Sequence, residues 1–390
     1  KYLLSATMRA DGSTKFAPGN QWGYFPSISG AWDMKRESFL EDVEWVDQLK
    51  LRAAVGIAGN NNINDDLWRY LYTVKSTGGP AFGEVNGHYY QSNGDFPNKD
   101  VKWETTLTRN LAMDLSFFNG RLPVTPEFYW NTTSDLLYKS TIPSVTGYTA
   151  QMQNIGEVSN KGFELTINGD ILRGKDYVLS GNLTFGLNKM TIEKLNATDK
   201  VLYNVAGNWK SADEADYMLE VGGELGLFYG YVYDGLYSAD EFYFDPVQNL
   251  LAVPYSDELP RYDENGNRLP NTVVNMALGS SNSGEATLPG KIKLKDISGP
   301  SGKPDGVVDT YDKTVIGNSN PEFQGGFGLS GQWKDFDFSA NFTYMVGFDV
   351  YNATAYALSS STTKQYQFDN VLDKFADNRW RYVHVNDGSR

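Results

Sequence analysis

Cysteine is absent from all 390 residues, which excludes disulfides, thiol catalysis and thiolate-held metals. Histidine is nearly absent: His88 and His384 stand far apart in the chain and make a His-based zinc or catalytic site untenable. No apolar run approaches the ~18 residues that a spanning helix needs, and the mean hydropathy is -0.46, so a helical membrane protein is excluded. Positive charge is in the minority, with 34 Lys and Arg against 48 Asp and Glu and a net charge of -14. That balance argues against nucleic acid and against anionic surfaces as partners. Also missing are a Ser-His-Asp set, a phosphate-binding loop and a dinucleotide fingerprint. Acidic pairs exist, Asp65-Asp66 and Asp213-Glu214 among them, but nothing fixes two carboxylates at the separation glycoside hydrolysis requires. The residues point away from an enzyme.

Aromatics and glycine are plentiful: 25 Tyr, 21 Phe and 39 Gly suit a sheet protein with many turns. The clearest stretch runs from Asn320 to Asn352. Phe323, Phe327, Leu329 and Trp333 share one parity; Gln324, Gly326, Gly328, Ser330 and Gln332 share the other. Beyond Lys334-Asp335, Phe336, Phe338, Ala340, Phe342, Tyr344, Val346 and Phe348 alternate with Asp337, Ser339, Asn341, Thr343 and Met345. This is period two. Each run is about ten residues, long enough for a tilted strand to cross a bilayer, with aromatics near the ends of its apolar face. A soluble β-sandwich hairpin also alternates but seldom masses so many Phe and Tyr on one face.

Earlier segments repeat the pattern. Leu4, Ala6, Met8 and Ala10 oppose Ser5, Thr7 and Arg9; Trp22, Tyr24, Ile28 and Trp32 follow, with Pro26 as a cost. Residues 33–48 are charged and not a strand, with Ser38 and Glu41 able to open a helical turn. Leu49, Leu51, Ala53, Val55 and Ile57 then alternate with Lys50, Arg52, Ala54 and Gly56. One hairpin pairs Leu111 to Phe117 with Leu122 to Trp130 across Asn119-Gly120-Arg121; another pairs Phe163 to Ile167 with Leu179 to Leu187 across Arg173 to Lys175. Short connections alternate with long ones (59–101, 139–158 and 196–320), the asymmetry of outer-membrane barrels rather than of Greek-key sandwiches. The excursion 196–320 is too long to lack its own structure. Within it, Phe228 to Tyr237 alternates like a strand and Asp263 to Asn267 reads as a turn. The fold class is all-β: a transmembrane antiparallel β-barrel fragment of roughly ten strands with long extracellular loops.

The order of the segments RADGSTKF, WGYFPSISGAW, LKLRAAVGIAGN, QNIGEVSNKGFEL, PGKIKLKD and NSNPEFQGGFGLSGQWKDFDFSANFTYMVGFDVYN resembles SusC/RagA-type TonB-dependent outer-membrane transporters over essentially the whole chain. The resemblance implies part of one barrel domain, residues 1–390, from a barrel of about 22 strands. The signal peptide, TonB box and plug domain would lie before Lys1 and the last strands after Arg390. It further implies TonB-driven import of a bulky glycan or oligosaccharide, or of peptide. The expected partners are a SusD-like surface lipoprotein, the TonB-ExbB-ExbD complex and outer-membrane lipid, with no nucleic acid. Rival readings are a secreted all-β glycan-binding protein or hydrolase, and a passive adhesion or secretion barrel.

The one candidate ion site lies in KDISGPSGKPDGVVDTYDKTVIG, where Asp296, Asp305, Asp309 and Asp312 offer oxygen ligands suited to calcium. The family that the chain resembles carries a compact Asp-x-Asn-x-Asp-Gly turn here; the insertion GPSGKP departs from it, and EF-hand spacing is not met. The alternative is an acidic turn closed by its own hydrogen bonds. Trp68, Tyr70, Tyr72, Tyr89 and Tyr90, and Tyr229, Tyr231 and Tyr233, could stack on sugars but are better accounted for by loop packing.

Overall fold

The computed structural model describes residues 1–75, 81–82, 85–86, 89–195, 201–204, 217–245, 251–277 and 287–358. The chain divides into two compact units, Lys1–Leu202 with Leu219–Leu225 and Asn320–Phe348, and Tyr203–Met218 with Gly226–Ser319 and Asp349–Arg390.

The first unit is built on nine antiparallel strands: β1 (Tyr2–Gly12), β2 (Trp22–Asp33), β3 (Val46–Asn60), β4 (Glu104–Phe117), β5 (Leu122–Ser134), β6 (Glu157–Arg173), β7 (Tyr177–Lys194), β8 (Phe323–Trp333) and β9 (Phe336–Val346). They pair in chain order. Directly opposed residues share a face, so the ladder joins the alternations of separate strands into two continuous surfaces. Tyr2 faces Trp32 and Ala6 faces Ile28; Ile28 faces Val55, and Ala53 faces Leu111. Leu111 faces Phe128, Phe128 faces Phe163 and Phe163 faces Leu187. Leu183 meets Phe327, which stacks on Phe342 at 4.9 Å between ring centroids. This apolar face is open: Leu4 is 79% and Phe342 54% exposed. A soluble sheet buries such side chains, and lipid is the solvent that suits them.

The strands stop where their pattern stops. Phe118, Asn119 and Gly120 all take positive φ, at 60°, 59° and 75°, so the β4–β5 turn occupies 118–121 and is one residue wider than Asn119-Gly120-Arg121. Lys334 turns β8 into β9 at φ 54°. Pro26 faces Met8 in β1, and the ladder to β3 begins only at Ser27, the edge-like setting that a proline tolerates. Pro126 likewise sits where the β4–β5 pairing lapses between Ala112–Glu127 and Leu115–Val124.

Two local expectations are corrected. The connection 34–45 lies at the same sheet end as the turns 118–121, 174–176 and 334–335 yet spans more residues than the opposite connection 13–21. Length alone therefore does not sort every connection by side. Within it the helical turn is 3-10 and falls at Met34–Arg36, ahead of Ser38, because Lys35 Nζ ties down the carbonyls of Leu40, Glu41 and Val43. At the opposite end, Phe16, Phe25, Ile63, Val101 and Trp103 form a buried cluster. Trp103 lies 5.4 Å from both Phe16 and Phe25 and donates Nε1–H to the Gln21 carbonyl at 3.1 Å.

The second unit contains short strands. The run Phe228 to Tyr237 is not one strand but two, Leu227–Gly230 and Tyr233–Leu236, because the first pairs with Thr314–Asn318 and the second with Ile292–Leu294. Tyr237 is buried, donates to the Val273 carbonyl at 2.7 Å, and burial pushes its phenol up to about 12.

Candidate functional site

The polar face of the nine-stranded sheet is the surface equipped to meet a hydrophilic solute. Arg52 on β3 grips Asp114 on β4 with two bonds, Nε and one terminal nitrogen each at 2.9 Å, and Lys50 stands 3.7 Å from the same carboxylate. Planar guanidinium and planar carboxylate match, which makes this fork rigid. Next along the face, Asn110 Nδ2 donates to Glu127 Oε1.

Tyr129 follows. Its hydroxyl donates to Asn188 Oδ1 at 3.0 Å, reaching from β5 to β7 across β6, where Tyr129 opposes Gly162 and Gly162 opposes Asn188. A Cβ at Gly162 would lie 2.3 Å from the Tyr129 ring, so the missing side chain is what lets the tyrosine lie flat. Tyr344 repeats the device on the apolar side, donating from β9 to the Thr184 carbonyl of β7 at 3.0 Å while lying over Gly325 of β8. Residue patterns on single strands do not disclose these straps, because each depends on the register of three strands; the signal available was a glycine inside a strand opposite a tyrosine.

Two recesses open between β6, β7 and β8. One is lined by Glu164, Thr166, Thr184 and Gln324 together with the apolar Leu165, Phe185 and Met345; the other is lined by Asn168, Asp170, Ser180, Asn182 and Asn341 beside Gly328. Carboxylates, amides and hydroxyls dominate the polar side, a set for reversible hydrogen bonding.

The four aspartates singled out for calcium lie in the second unit. Asp312 is fully buried; Oδ1 accepts from the backbone N–H of Ile297 at 2.8 Å and Ser298 at 3.0 Å, and Oδ2 from that of Asp309 at 2.8 Å. Asp309 caps Tyr311 N–H at 2.8 Å, Asp305 accepts from Val307 N–H at 3.0 Å, and Asp296 Oδ2 from Gly306 N–H at 2.6 Å. Asp296 Oδ1 is buried without a partner. Calcium takes roughly six to eight oxygens, and no group of three His, Asp or Glu is gathered to hold a metal among the described residues.

The other turn, Asp263 to Asn267, closes through Asp263 Oδ1, which accepts from Asn265 and Asn267 N–H at 2.9 and 2.7 Å. Hydrogen bonds from Asn267, side chain first, hold the Asp263 carboxyl below its ordinary range. Of the aromatic sets, Trp68 packs under the Arg69 guanidinium at 4.4 Å and Tyr70 stands edge-on to Phe96 at 6.3 Å. Tyr229 is buried, whereas Tyr72 and Tyr233 are exposed. Asp213, Glu214, His88 and His384 lie outside the described residues.

A family model described as "TonB dependent receptor-like, beta-barrel" matches residues 1–263. The chain is 30% identical over 362 residues to TonB-dependent receptor P3 of Formosa agariphila, covering 92% of this chain and 32% of that protein. It is 32% identical over 347 residues to TonB-dependent receptor SusC of Bacteroides thetaiotaomicron, covering 87% and 29%. The chain thus spans about a third of the length of these relatives. Among solved structures, the RagAB peptide transporter superposes with a TM-score of 0.65 at 21% identity over 96% of this chain and 36% of that one, a likeness of fold.

Proposed function

This chain belongs to the TonB-dependent receptor-like β-barrel family of the outer membrane, and on that premise we propose that it forms part of the barrel of a TonB-dependent importer for a bulky nutrient. It is a receptor-type barrel chain, not an enzyme. The carrying observation is the two-faced sheet: an apolar surface in which Ala53, Leu111, Phe128, Phe163 and Leu187 form one register chain with Ile28 against Val55 beside it, backed by a surface of paired charges and amides. The apolar surface faces lipid; the polar surface lines the lumen along which solute passes. The Arg52–Asp114 fork and the Tyr129–Asn188 strap keep that lining rigid while the solute exchanges hydrogen bonds with it. The mechanism is gated binding and release, driven through TonB, with no covalent step.

The substrate we favour is a glycan or oligosaccharide, with peptide as the second reading. A relative named SusC supports the pairing with a SusD-like surface lipoprotein over the long connections; a neighbour titled as a peptide transporter keeps the second reading open. For the acidic turn we favour closure by its own hydrogen bonds, with bound calcium as the second reading. The test is uptake by cells lacking the full-length protein. A defect on one glycan, restored by the wild-type protein but not by one lacking its TonB-coupling segment, supports active import. Restoration by both shows a passive barrel, and a peptide-specific defect selects the second substrate class.

A further inference from the structure

Away from the last two residues at each strand end, three charged residues interrupt the apolar face of the nine strands, and all three are cations. Arg109 stands opposite Val55; Trp130 faces Lys161, and Lys161 faces Lys189. The pairs Leu107–Thr132 and Asn110–Tyr129 bracket Arg109 and Trp130, so Arg109, Trp130, Lys161 and Lys189 form one register row. Neighbouring strands lie about 4.8 Å apart, which makes the row roughly 15 Å wide.

Like charges directly opposed in a sheet repel, and Lys161 and Lys189 are so placed. Glu224 meets Lys189 at 3.0 Å. Arg109 and Lys161 form no ion pair among the described residues; the Arg109 guanidinium donates weakly to the Trp130 carbonyl at 3.4 Å and to Thr132 Oγ1 at 3.3 Å. The acids beyond the row, Glu157 and Glu193, accept the hydroxyls of Ser134 and Ser159. The row therefore keeps positive charge to share.

Its depth fits a headgroup. From Arg109 to Phe117 and from Lys189 to Tyr177, roughly eight to twelve residues at about 3.3 Å each on tilted strands cover about 20–30 Å, the height of an apolar band. Cations are penalised at mid-bilayer and nearly neutral at its margin, where Trp also collects. One row inward, Phe128 packs on Phe163 at 4.7 Å with Leu187 opposite, an apolar bed for acyl chains below the charges.

We propose that Arg109, Lys161 and Lys189 bind the phosphate of an anionic lipid in the leaflet on the long-connection side. The proposal rests on the barrel reading above. The apolar bed is what selects a lipid over free phosphate. The net charge of -14 conceals the site, because a count over the chain does not see three cations aligned by register.

Native mass spectrometry of the full-length protein in detergent, offered phosphatidylglycerol or phosphatidylcholine, tests it. Wild type retains phosphatidylglycerol selectively, and Lys161→Gln or Arg109→Gln weakens retention about fivefold each, while Lys334→Gln at the opposite sheet end changes nothing. Lys161→Arg retains the lipid, which separates charge from fold. Equal retention of the two lipids, an equal loss with Lys334→Gln, or displacement of the lipid by inorganic phosphate each overturns the proposal. Insertion into phosphatidylcholine vesicles is scored separately, so failure of the barrel reading is distinguishable from failure of the site.

Discussion

The Tyr129 hydroxyl binds Asn188 Oδ1 at 3.0 Å directly above Gly162, a residue of the strand lying between theirs. Substituting the glycine should undo what the tyrosine holds. A Cβ there would also come 2.7 Å from the Leu187 carbonyl, and overpacking of this kind costs roughly 1–3 kcal/mol. Gly162→Val should lower the yield of assembled barrel, whereas Tyr129→Phe, which forfeits a hydrogen bond of about 1 kcal/mol, should still assemble. Equal folded fractions for wild type and Gly162→Val, read by resistance to denaturation in sample buffer, would show that the ring does not lie there.

The two faces should respond oppositely to charge. Phe342 stacks on Phe327 on the apolar side, so Phe342→Arg should lose about 2–4 kcal/mol of insertion free energy near the midplane. Asn341→Arg, on the polar side beside Gly328 and Asn182, should be tolerated. Outer-membrane yields of the two variants decide it, and parity is wrong if they match.

Buried Asp312 should dominate the acidic turn. Asp312→Ala strands the N–H groups of Ile297, Ser298 and Asp309, at about 1–3 kcal/mol for each one kept from water. Limited proteolysis across residues 289–316 should then accelerate. A chelator should leave the wild-type pattern unchanged, since the backbone already engages these carboxylates; faster cleavage with chelator would instead establish a bound cation.

Sidedness can be read with tags. Val145 is exposed in the connection between β5 and β6, and an epitope inserted after it should be labelled on intact cells. One inserted after Gly120, in the opposite turn, should not. Labelling at Gly120 with silence at Val145 inverts the orientation.

Legibility in the sequence followed range. Within β8 and β9 the parity of Phe327 and Phe342 was plain, because each strand is regular and one face is apolar throughout. Phe228 to Tyr237 misled, since its alternation continues across a break that only the partners Thr314–Asn318 and Ile292–Leu294 impose. Asp312 could be named but its role could not, as two of its donors lie 14 and 15 residues upstream. The cation row was invisible for the same reason: Arg109, Lys161 and Lys189 meet only through ladder register.

The seam between β7 and β8 carries a kinetic consequence. The chain leaves β7 at Lys194 and enters β8 at Phe323, whereas its neighbours β6–β7 and β8–β9 are joined by turns of a few residues. Closing the longer excursion costs about 3 kcal/mol more in chain entropy, roughly five doublings of length. The hairpins should therefore zip first and this seam last. Tyr344, reaching from β9 over β8 to the Thr184 carbonyl of β7, then acts as a latch. Its bond can form only after the slowest pairing is in register, which makes loss of that latch an accelerant of unzipping rather than a brake on assembly.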